Sequence, residues 1–152
     1  MTTTIRPATA DDIPALIALG AVMHAESPRF SRFAFERDRL DGNIRMVLAY
    51  EYGFAVVAEC AGEMVGGLLA VAMPHFACDL LQACDLAYFV RPDRRGGIAA
   101  VRLADAYREW AASLGAEASI GLNTGVQPER TAKLLAALGA QQTGTVWTWR
   151  ET

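Results

Sequence analysis

The sequence has little of what a metal site or a disulfide framework requires. Its 152 residues include three cysteines, Cys60, Cys78 and Cys84, and only two histidines. The cysteines form no C-x-x-C pair, and no cluster of histidines accompanies them, so neither a zinc site nor a set of disulfides is expected. We therefore predict reduced thiols that are mostly buried, and no bound metal.

Long hydrophobic runs and an excess of positive charge are also absent. No apolar stretch is long enough to cross a bilayer, and the first residues lack the charged start and apolar run of a secretory signal. We therefore expect a cytoplasmic protein without a membrane anchor. The net charge of −3 and the single lysine, Lys133, disfavour a nucleic-acid partner.

Strand-like and helix-like segments alternate along the whole chain, without a repeat or a linker. With 53% hydrophobic residues, residues 1–152 have enough apolar material for one core and one domain. The pattern predicts an α/β fold with the order β-α-α-β-β-β-α-β-α-β. Strands are predicted at residues 3–6, 54–60, 64–73, 80–90, 119–122 and 144–150, and helices from about residue 9 and at residues 36–48, 98–114 and 128–138.

The most informative stretch lies between the fourth predicted strand and the helix that follows it. Gly96 and Gly97 stand there after Arg94 and Arg95. Glycines let the backbone turn sharply and approach a ligand, and a helix start presents unpaired N–H groups and a positive dipole end. Arginine donates paired hydrogen bonds to phosphate. These residues fit either a phosphate site or an ordinary strand-to-helix turn edged by solvated arginines.

The same stretch resembles the coenzyme-binding signature of the Gcn5-related N-acetyltransferase (GNAT) superfamily, Q/R-x-x-G-x-G/A. It stands here as Arg94-Arg95-Gly96-Gly97-Ile98-Ala99, after a strand ending in Val90-Arg91-Pro92. The predicted element order is also similar to that fold along nearly the whole chain. The resemblance implies a GNAT-type mixed central sheet. It also implies transfer of an acetyl group from acetyl-CoA to a small-molecule or peptidyl amine in a ternary complex.

The resemblance further implies a set of coenzyme contacts. The main chain near Phe89 and Val90 would pair with the pantetheine arm, and the Val90 amide would polarise the thioester carbonyl as charge develops on its oxygen. Asn123 is an additional candidate for contact with the coenzyme. The residues expected at the pyrophosphate are Arg94, Arg95, Gly96, Gly97, Ile98, Ala99 and Ala100.

Asp85 is the first candidate for the general base. A strict alternation along the strand places it on one face with Leu81, Ala83, Ala87 and Phe89, where it is the only ionisable group. Burial on that face would raise its pKa and suit it to accept a proton. The resemblance supports this role, because an acid on this strand face often serves as the base. The alternative is that Asp85 pairs with an arginine or accepts a hydrogen bond from a local amide.

The run His24-Ala25-Glu26-Ser27 interrupts the helical period near the N-terminus. In the superfamily the first two helices usually form a wall of the acceptor pocket, so His24, Glu26 and Ser27 are candidates for binding the substrate. Glu26 would hold a cationic amine, and His24 would act as a base at neutral pH. The alternative is the C-terminal turn of a helix, in which Glu26 and Ser27 cap local amides.

One position departs from the family pattern. Many relatives carry a tyrosine that protonates the departing thiolate, within N-x-x-A-x-x-x-Y-x-x-x-G. Aligning its glycine with Gly139 places Leu135 at the tyrosine and Pro128 at the asparagine. A thiolate with a pKa of about 8.5 also leaves without much help. The remaining candidates for the general acid are Tyr88, Asn123, Thr131 and a water molecule.

The missing tyrosine keeps a second function open, a catalytically weak sensor or assembly protein that binds coenzyme A with the same fold. A third function, acyl transfer to a substrate carried on nucleic acid, would use the arginines but conflicts with the negative net charge. Trp147 and Trp149 alternate on the predicted last strand. They are expected to pack beneath a helix or to anchor the interface of a homodimer.

Overall fold

The computed structural model describes residues 1–149, and its elements confirm the predicted α/β class. They follow the predicted order as far as the last helix. Residues 10–12 and 92–94 form short 3-10 turns. The strands are β1 (Thr3–Pro7), β2 (Gly53–Cys60), β3 (Glu63–Pro74), β4 (Leu81–Val90) and β5 (Glu117–Ser119). The helices are α1 (Ile13–Glu26), α2 (Arg37–Ala49), α3 (Ala99–Ser113) and α4 (Pro128–Ala137).

The five strands form one mixed sheet in the order β1-β2-β3-β4-β5. The first three pairs are antiparallel, and β4 pairs with β5 in parallel. Helix α3 covers one face, where Leu103 and Tyr107 are buried, and α1 and α2 cover the other, where Ile13 and Ile44 are buried. Burial of apolar side chains on both faces holds the three layers together.

Local signals account for the first elements. The Thr9 amide donates to Asp12 Oδ2 at 2.8 Å, which begins the helical segment before α1 with a capping box. The β2–β3 hairpin turns at Ala61 and Gly62, whose φ angles are 53° and 78°. Two successive positive φ angles match the right-handed twist of the flanking strands, so the short predicted turn sets the register of the hairpin.

Strand β4 contains a bulge at Leu86. Leu69 of β3 pairs with Ala87, whereas the next residue, Ala70, pairs with Asp85. Leu86 therefore has no partner in the ladder with β3. One extra residue on a strand bends it and reverses the side of the sheet on which each following side chain lies.

The bulge corrects the prediction that Asp85 shares a face with Ala87 and Phe89. Ala83, before the bulge, packs in the core beneath α3, whereas Ala87, after it, packs against the core beneath α1 and α2. Asp85 lies on the side of Ala83 and Tyr107. The prediction was wrong because a strict period of two cannot register an inserted residue.

Strands β4 and β5 separate soon after they meet. Their ladder consists of residues 82–84 against residues 117–119. Beyond it, the Gly121 amide donates to the Asp85 carboxylate at 2.8 Å instead of to the β4 backbone. The rest of β4, from Leu86 to Val90, therefore has an open edge on this side and a gap between the two strands.

Two predicted strands differ from those observed. Strand β5 is shorter and earlier than residues 119–122, because the Asp85 side chain takes the Gly121 amide out of the ladder. Residues 144–149 of the predicted last strand form no strand, and Arg150 lies outside the described residues. Trp147 and Trp149 are 81% and 91% exposed, so they do not pack beneath a helix as expected.

The cysteines are free thiols, as predicted, but only Cys60 is buried. Cys78 and Cys84 are exposed, because Cys78 lies in the β3–β4 loop and Cys84 lies beside the short β5, which covers little of its strand. Between residues 1 and 149, no helix combines the length and the apolar character that spanning a bilayer requires.

Candidate functional site

A glycine turn, residues 94–100, joins β4 to α3 and lines one end of a cleft of about 400 Å³. Gly96 has a φ of +89°, a conformation that glycine adopts without strain. The hydrogen-bond ladder of α3 begins where the Arg102 amide donates to Ile98 O at 3.0 Å, so the amides ahead of it have no helical acceptor. These amides and the positive end of the helix dipole make the turn a suitable place for a phosphate group.

The predicted residues of the turn divide into two groups. Arg94 faces away from the cleft toward two carboxylates, with its Nη2 3.8 Å from Glu63 and its Nε 3.6 Å from Asp93. The Ile98 side chain is exposed, and Ala99 is buried in the core beneath α3. Only the main chain of these two residues faces the turn. The predicted coenzyme residues that line the cleft are Val90, Arg95, Gly96, Gly97, Ala100 and Asn123.

Arg130 is a cleft residue that the sequence analysis missed. A Cβ built on Gly96 would lie 2.9 Å from Arg130 Nη2, so this guanidinium stands directly over the turn. It comes from the first turn of α4, where the helix dipole favours acidic residues and not basic ones. In the sequence, the signal that could have indicated Arg130 as a site residue was its position in the first turn of a helix, where a basic residue is unfavourable. Its placement next to Gly96 depends on how α4 crosses the gap between β4 and β5.

The backbone of Val90 faces the open edge of β4. Val90 pairs with Gly66, and the Arg91 amide donates to Val65 O at 2.8 Å. In an antiparallel ladder this pattern directs the N–H and C=O of Val90 away from β3, toward the cleft. The amide and carbonyl of Phe89 point the other way, toward Gly67. Phe89 therefore offers its ring and not its main chain, which corrects the prediction that both residues present backbone groups to a ligand.

Arg95 and Glu26 form an ion pair that joins the glycine turn to the end of α1. The Arg95 guanidinium binds both oxygens of the Glu26 carboxylate, with Nη2 to Oε2 at 2.6 Å. Arg95 Nε also donates to Val90 O at 3.0 Å. The hydrogen bonds from Arg95 hold the pKa of Glu26 below its ordinary value. The expected role of Glu26 in holding a cationic amine is thus corrected, because Arg95 already occupies its carboxylate.

Ser27 is a structural residue and not an accessible substrate contact. It is fully buried, its Oγ donates to Thr124 O at 2.6 Å, and it accepts a hydrogen bond from the Phe30 amide at 3.0 Å. Both hydrogen bonds engage the Ser27 hydroxyl with partners inside the protein. They tie the loop after α1 to the loop after β5, which matches the alternative that Ser27 caps local amides and corrects its predicted role in binding the substrate.

Asp85 and Tyr88 are the ionisable groups on the β4 wall of the cleft. Burial raises the pKa of Asp85, while the hydrogen bond from the Gly121 amide acts in the opposite direction. Asp85 therefore has both features that were proposed for it as alternatives. It accepts a hydrogen bond from a local amide, and its carboxylate has a raised pKa. The Tyr88 hydroxyl donates to Ala100 O at 2.7 Å, and burial raises its pKa far above the ordinary value.

The α4 wall of the cleft carries no tyrosine. Thr131 and Leu134 line the cleft, whereas Leu135, the residue aligned with the family tyrosine, does not. The Thr131 hydroxyl lies 3.5 Å from Gln127 O. Three of the candidates for the general acid, Tyr88, Asn123 and Thr131, line the cleft. The Tyr88 hydroxyl is already bonded to α3, whereas the Asn123 and Thr131 side chains are not.

A second cavity, the apolar pocket, lies on the opposite face of the sheet. It has a volume of about 610 Å³ and is bounded by α1, α2 and the Phe89 side of β4. Of the three residues predicted to bind the substrate, only His24 lines it. Met23, Phe30 and Ala87 line both the apolar pocket and the cleft, so the two cavities meet at the bulge in β4.

Comparison with known proteins finds no family model and no curated protein that matches this chain. Solved structures match it along nearly its whole length. An aminoglycoside acetyltransferase from an uncultured soil metagenomic sample has 18% identity and a TM-score of 0.74, with 100% of each chain covered. Aminoglycoside acetyltransferase AAC(6')-Iy, in complex with CoA-S-monomethyl-acetylneamine, has 18% identity and a TM-score of 0.77, with 100% of this chain and 99% of that chain covered.

A third match is the ribosomal-protein-alanine N-acetyltransferase from Brucella melitensis biovar Abortus 2308. It has 18% identity and a TM-score of 0.69, with 99% of this chain and 100% of that chain covered. At such low identity these likenesses concern the arrangement of the backbone. The mixed sheet, the glycine turn after β4 and the matched lengths agree on one conclusion: the chain has the fold of the Gcn5-related N-acetyltransferases.

Proposed function

We propose that residues 1–152 form a single acyltransferase domain that transfers an acetyl group from acetyl-CoA to a primary amine. The transfer occurs by direct attack within a ternary complex. The observation that carries this proposal is the open edge of β4 at Val90, in the same cleft as the unpaired amides of the glycine turn. A long thioester with phosphate groups at its far end fits that arrangement. Solved structures of the same fold with CoA or a CoA analogue bound support it.

The residues that would hold the coenzyme are those that line the turn and the β4 edge. The amides of Gly96 and Gly97, with Arg130 above them, would bind the pyrophosphate. The Val90 amide would donate to the thioester oxygen. A fixed donor at that point stabilises the transition state more than the ground state, because negative charge develops on the oxygen as the nitrogen attacks.

Asp85 is the proposed base. The amine nitrogen forms a bond to the acetyl carbon, the carbon–sulfur bond breaks, and the sulfur leaves with the electron pair as a thiolate. The proton lost from nitrogen passes to Asp85 through water. The raised pKa of Asp85 brings the carboxylate closer to the range in which a base is effective at neutral pH.

The leaving thiolate needs no dedicated acid in this proposal. The thiolate of a thiol with a pKa of about 8.5 is a good leaving group near neutral pH. Water, or the Asn123 or Thr131 side chain in the cleft, would supply the final proton. We also propose a cytoplasmic location, because exposed free thiols such as Cys78 and Cys84 persist where the surroundings are reducing.

Calorimetric titration of the purified protein with acetyl-CoA, followed by thiol-release assays with an amine panel, tests the proposal. Binding at one site per chain and release of thiol only when an amine is present is the expected result. Binding without turnover across the panel would favour a protein that senses coenzyme A. Absence of binding would overturn the assignment of the cleft.

A further inference from the structure

The apolar pocket differs from the cleft in the chemistry of its walls. Its volume of about 610 Å³ is that of an ordinary small-molecule site, for which about 300–1,000 Å³ is typical. Aliphatic and aromatic side chains from α1, the following loop and β4 make up most of the surface. They include Leu16, Leu19, Met23, Phe30, Phe33 and Phe35.

The charged groups of this lining do not favour a ligand with several positive charges. Glu36 is the one carboxylate among the lining residues, and it pairs with Arg39 at 3.2 Å. Glu26, the nearby acid at the end of α1, is held by Arg95. A polycationic amine would have to leave water for a mostly apolar surface whose one lining carboxylate already has an arginine partner, which is costly. An acceptor with a single amine and an apolar body would not bear this cost.

His24 is one of the polar residues that line the pocket, together with Glu36, Arg39 and Asn43. Its Nε2 is one of two buried side-chain atoms without a hydrogen-bond partner among residues 1–149, and its ring lies 5.3 Å from the Phe35 ring. A buried polar atom without a partner is unfavourable, so a ligand that hydrogen-bonds to it once the imidazole ring turns toward the pocket gains affinity. This makes His24 a specificity contact in a mostly apolar cavity.

The pocket also opens where the reaction would occur. Met23, Phe30 and Ala87 border both cavities, next to the bulge that separates Asp85 from Phe89. A molecule whose apolar body fills the pocket can therefore present its amine to the cleft. It would approach the open edge of β4 near Val90 from the α1–α2 side.

We infer that the acceptor is a monoamine with one compact aryl or branched-alkyl body, which binds in the apolar pocket between α1, α2 and β4 beside His24. The inference rests on the proposed acetyl transfer and narrows its acceptor. This acceptor differs from the aminoglycosides for which two of the acetyltransferases that share the fold are named.

Steady-state kinetics with three amines tests the inference. At saturating acetyl-CoA, kcat/KM for 2-phenylethylamine should exceed that for methylamine, which lacks an apolar body, by about 10- to 100-fold. Spermidine, a polyamine, should be no better than methylamine. A preference for spermidine would overturn the inference while leaving acetyl transfer intact. If no amine is acetylated and acetyl-CoA does not bind, the proposed function itself fails.

A matched pair of variants separates the pocket from general surface hydrophobicity. Phe33 and Phe76 are both exposed phenylalanines, but only Phe33 lines the pocket. Phe33→Ala should raise KM for 2-phenylethylamine roughly threefold to tenfold with little change in kcat. Phe76→Ala should leave both values unchanged. Equal effects from the two variants would contradict the location of the acceptor.

Binding can also be followed without turnover. The chain has two histidines, so the imidazole Cε1–H signals of His24 and His75 can be assigned with one variant, His24→Gln. Titration with 2-phenylethylamine should shift the His24 signal and leave that of His75, which lies in the β3–β4 loop, in place. An unchanged His24 signal at saturating amine would overturn the inference, whatever the outcome of the kinetic assays.

Discussion

The cleft and the apolar pocket lie on opposite faces of the same strand and are built in different ways. The cleft depends on backbone groups, namely the Val90 amide and the amides of the glycine turn, with Arg130 added above Gly96. The pocket depends on side chains from α1, α2 and two strands. A backbone site serves one invariant ligand, whereas a side-chain site can be changed to suit a different acceptor. We therefore assign the common chemistry to the cleft and the specificity to the pocket.

Gly97→Glu should produce the largest effect and confine it to the cleft. A Cβ at Gly97 would meet only Arg94 O, at 3.6 Å, so the backbone accepts a side chain there. A carboxylate in the turn would repel the pyrophosphate and block the amides. Juxtaposed like charges cost several kcal/mol, so affinity for acetyl-CoA should fall roughly 1,000-fold. Calorimetry measures the change.

Gly42→Glu is the matched control for that variant. Gly42 lies on the exposed surface of α2, with no atom within 4 Å of an added Cβ. The substitution adds the same charge far from the turn and should leave coenzyme affinity unchanged. Binding of 2-phenylethylamine, followed by the His24 signal, should survive in both variants. Loss of amine binding in Gly97→Glu would show that the two sites are not separate.

Asp85→Asn should affect the rate and not either affinity. Asparagine keeps an oxygen for the Gly121 amide but accepts no proton, so kcat should fall about 100-fold. Acetyl-CoA affinity should stay within about twofold of the original value. The exposed Asp79→Asn serves as the control. An unchanged rate would reduce Asp85 to a structural acceptor for Gly121.

The same variant has an opposite effect on stability. Burial raises the pKa of Asp85 in the folded chain, so the folded state binds the proton more tightly than the unfolded state. The contribution of Asp85 to stability therefore declines as pH rises above about 3.9, the unfolded value, through the folded value. Asp85→Asn lacks this decline and should be the more stable protein at neutral pH. Denaturant unfolding at several pH values measures the difference.

The glycine turn at one end of the cleft was predictable from sequence, because it depends on the backbone of neighbouring residues. Gly96, Gly97 and the start of α3 are neighbours along the chain, so their spacing specifies a turn with free amides. The hairpin at Ala61 and Gly62 was predictable for the same reason. Arg130 was missed because its contact with the turn crosses the gap between β4 and β5, which no local pattern encodes.

The apolar pocket was much less predictable. His24 was identified, but Glu26 and Ser27 beside it form contacts with Arg95 and Thr124 that lie far away in sequence. The bulge at Leu86 leaves Asp85 on the face of Ala83 but places Ala87 and Phe89, which were expected beside it, on the opposite face. Strand alternation gives the face of a residue only while the ladder is regular, and here it becomes irregular at the point where the two cavities meet.

Arg130→Ala tests whether side-chain charge adds to the backbone site. Arg130 stands over Gly96, and one charge-assisted hydrogen bond to phosphate contributes about 1.5–3 kcal/mol. Solvent exposure reduces this, so affinity for acetyl-CoA should fall about tenfold, much less than for Gly97→Glu. Arg45→Ala, in α2, removes an arginine outside the cleft and should have no effect. Raised salt should reduce the difference between Arg130→Ala and the wild type, since it screens the lost charge.

Glu26→Gln tests the contact between the two regions, and its effect should appear in stability alone. The variant replaces a two-point ion pair with a weaker hydrogen bond to Arg95, which should cost about 1–2 kcal/mol of unfolding free energy at neutral pH. The folded pKa of Glu26 is below its unfolded value of about 4.3. Its contribution is therefore fully present above that value and is lost as pH falls through the folded pKa.

The difference in stability between wild type and variant should shrink on acidification, whereas Glu51→Gln, at an exposed acid, should show no difference at any pH. A constant difference down to low pH would mean that the variant acts through packing, and that the Arg95–Glu26 pair does not hold the turn against α1 by charge.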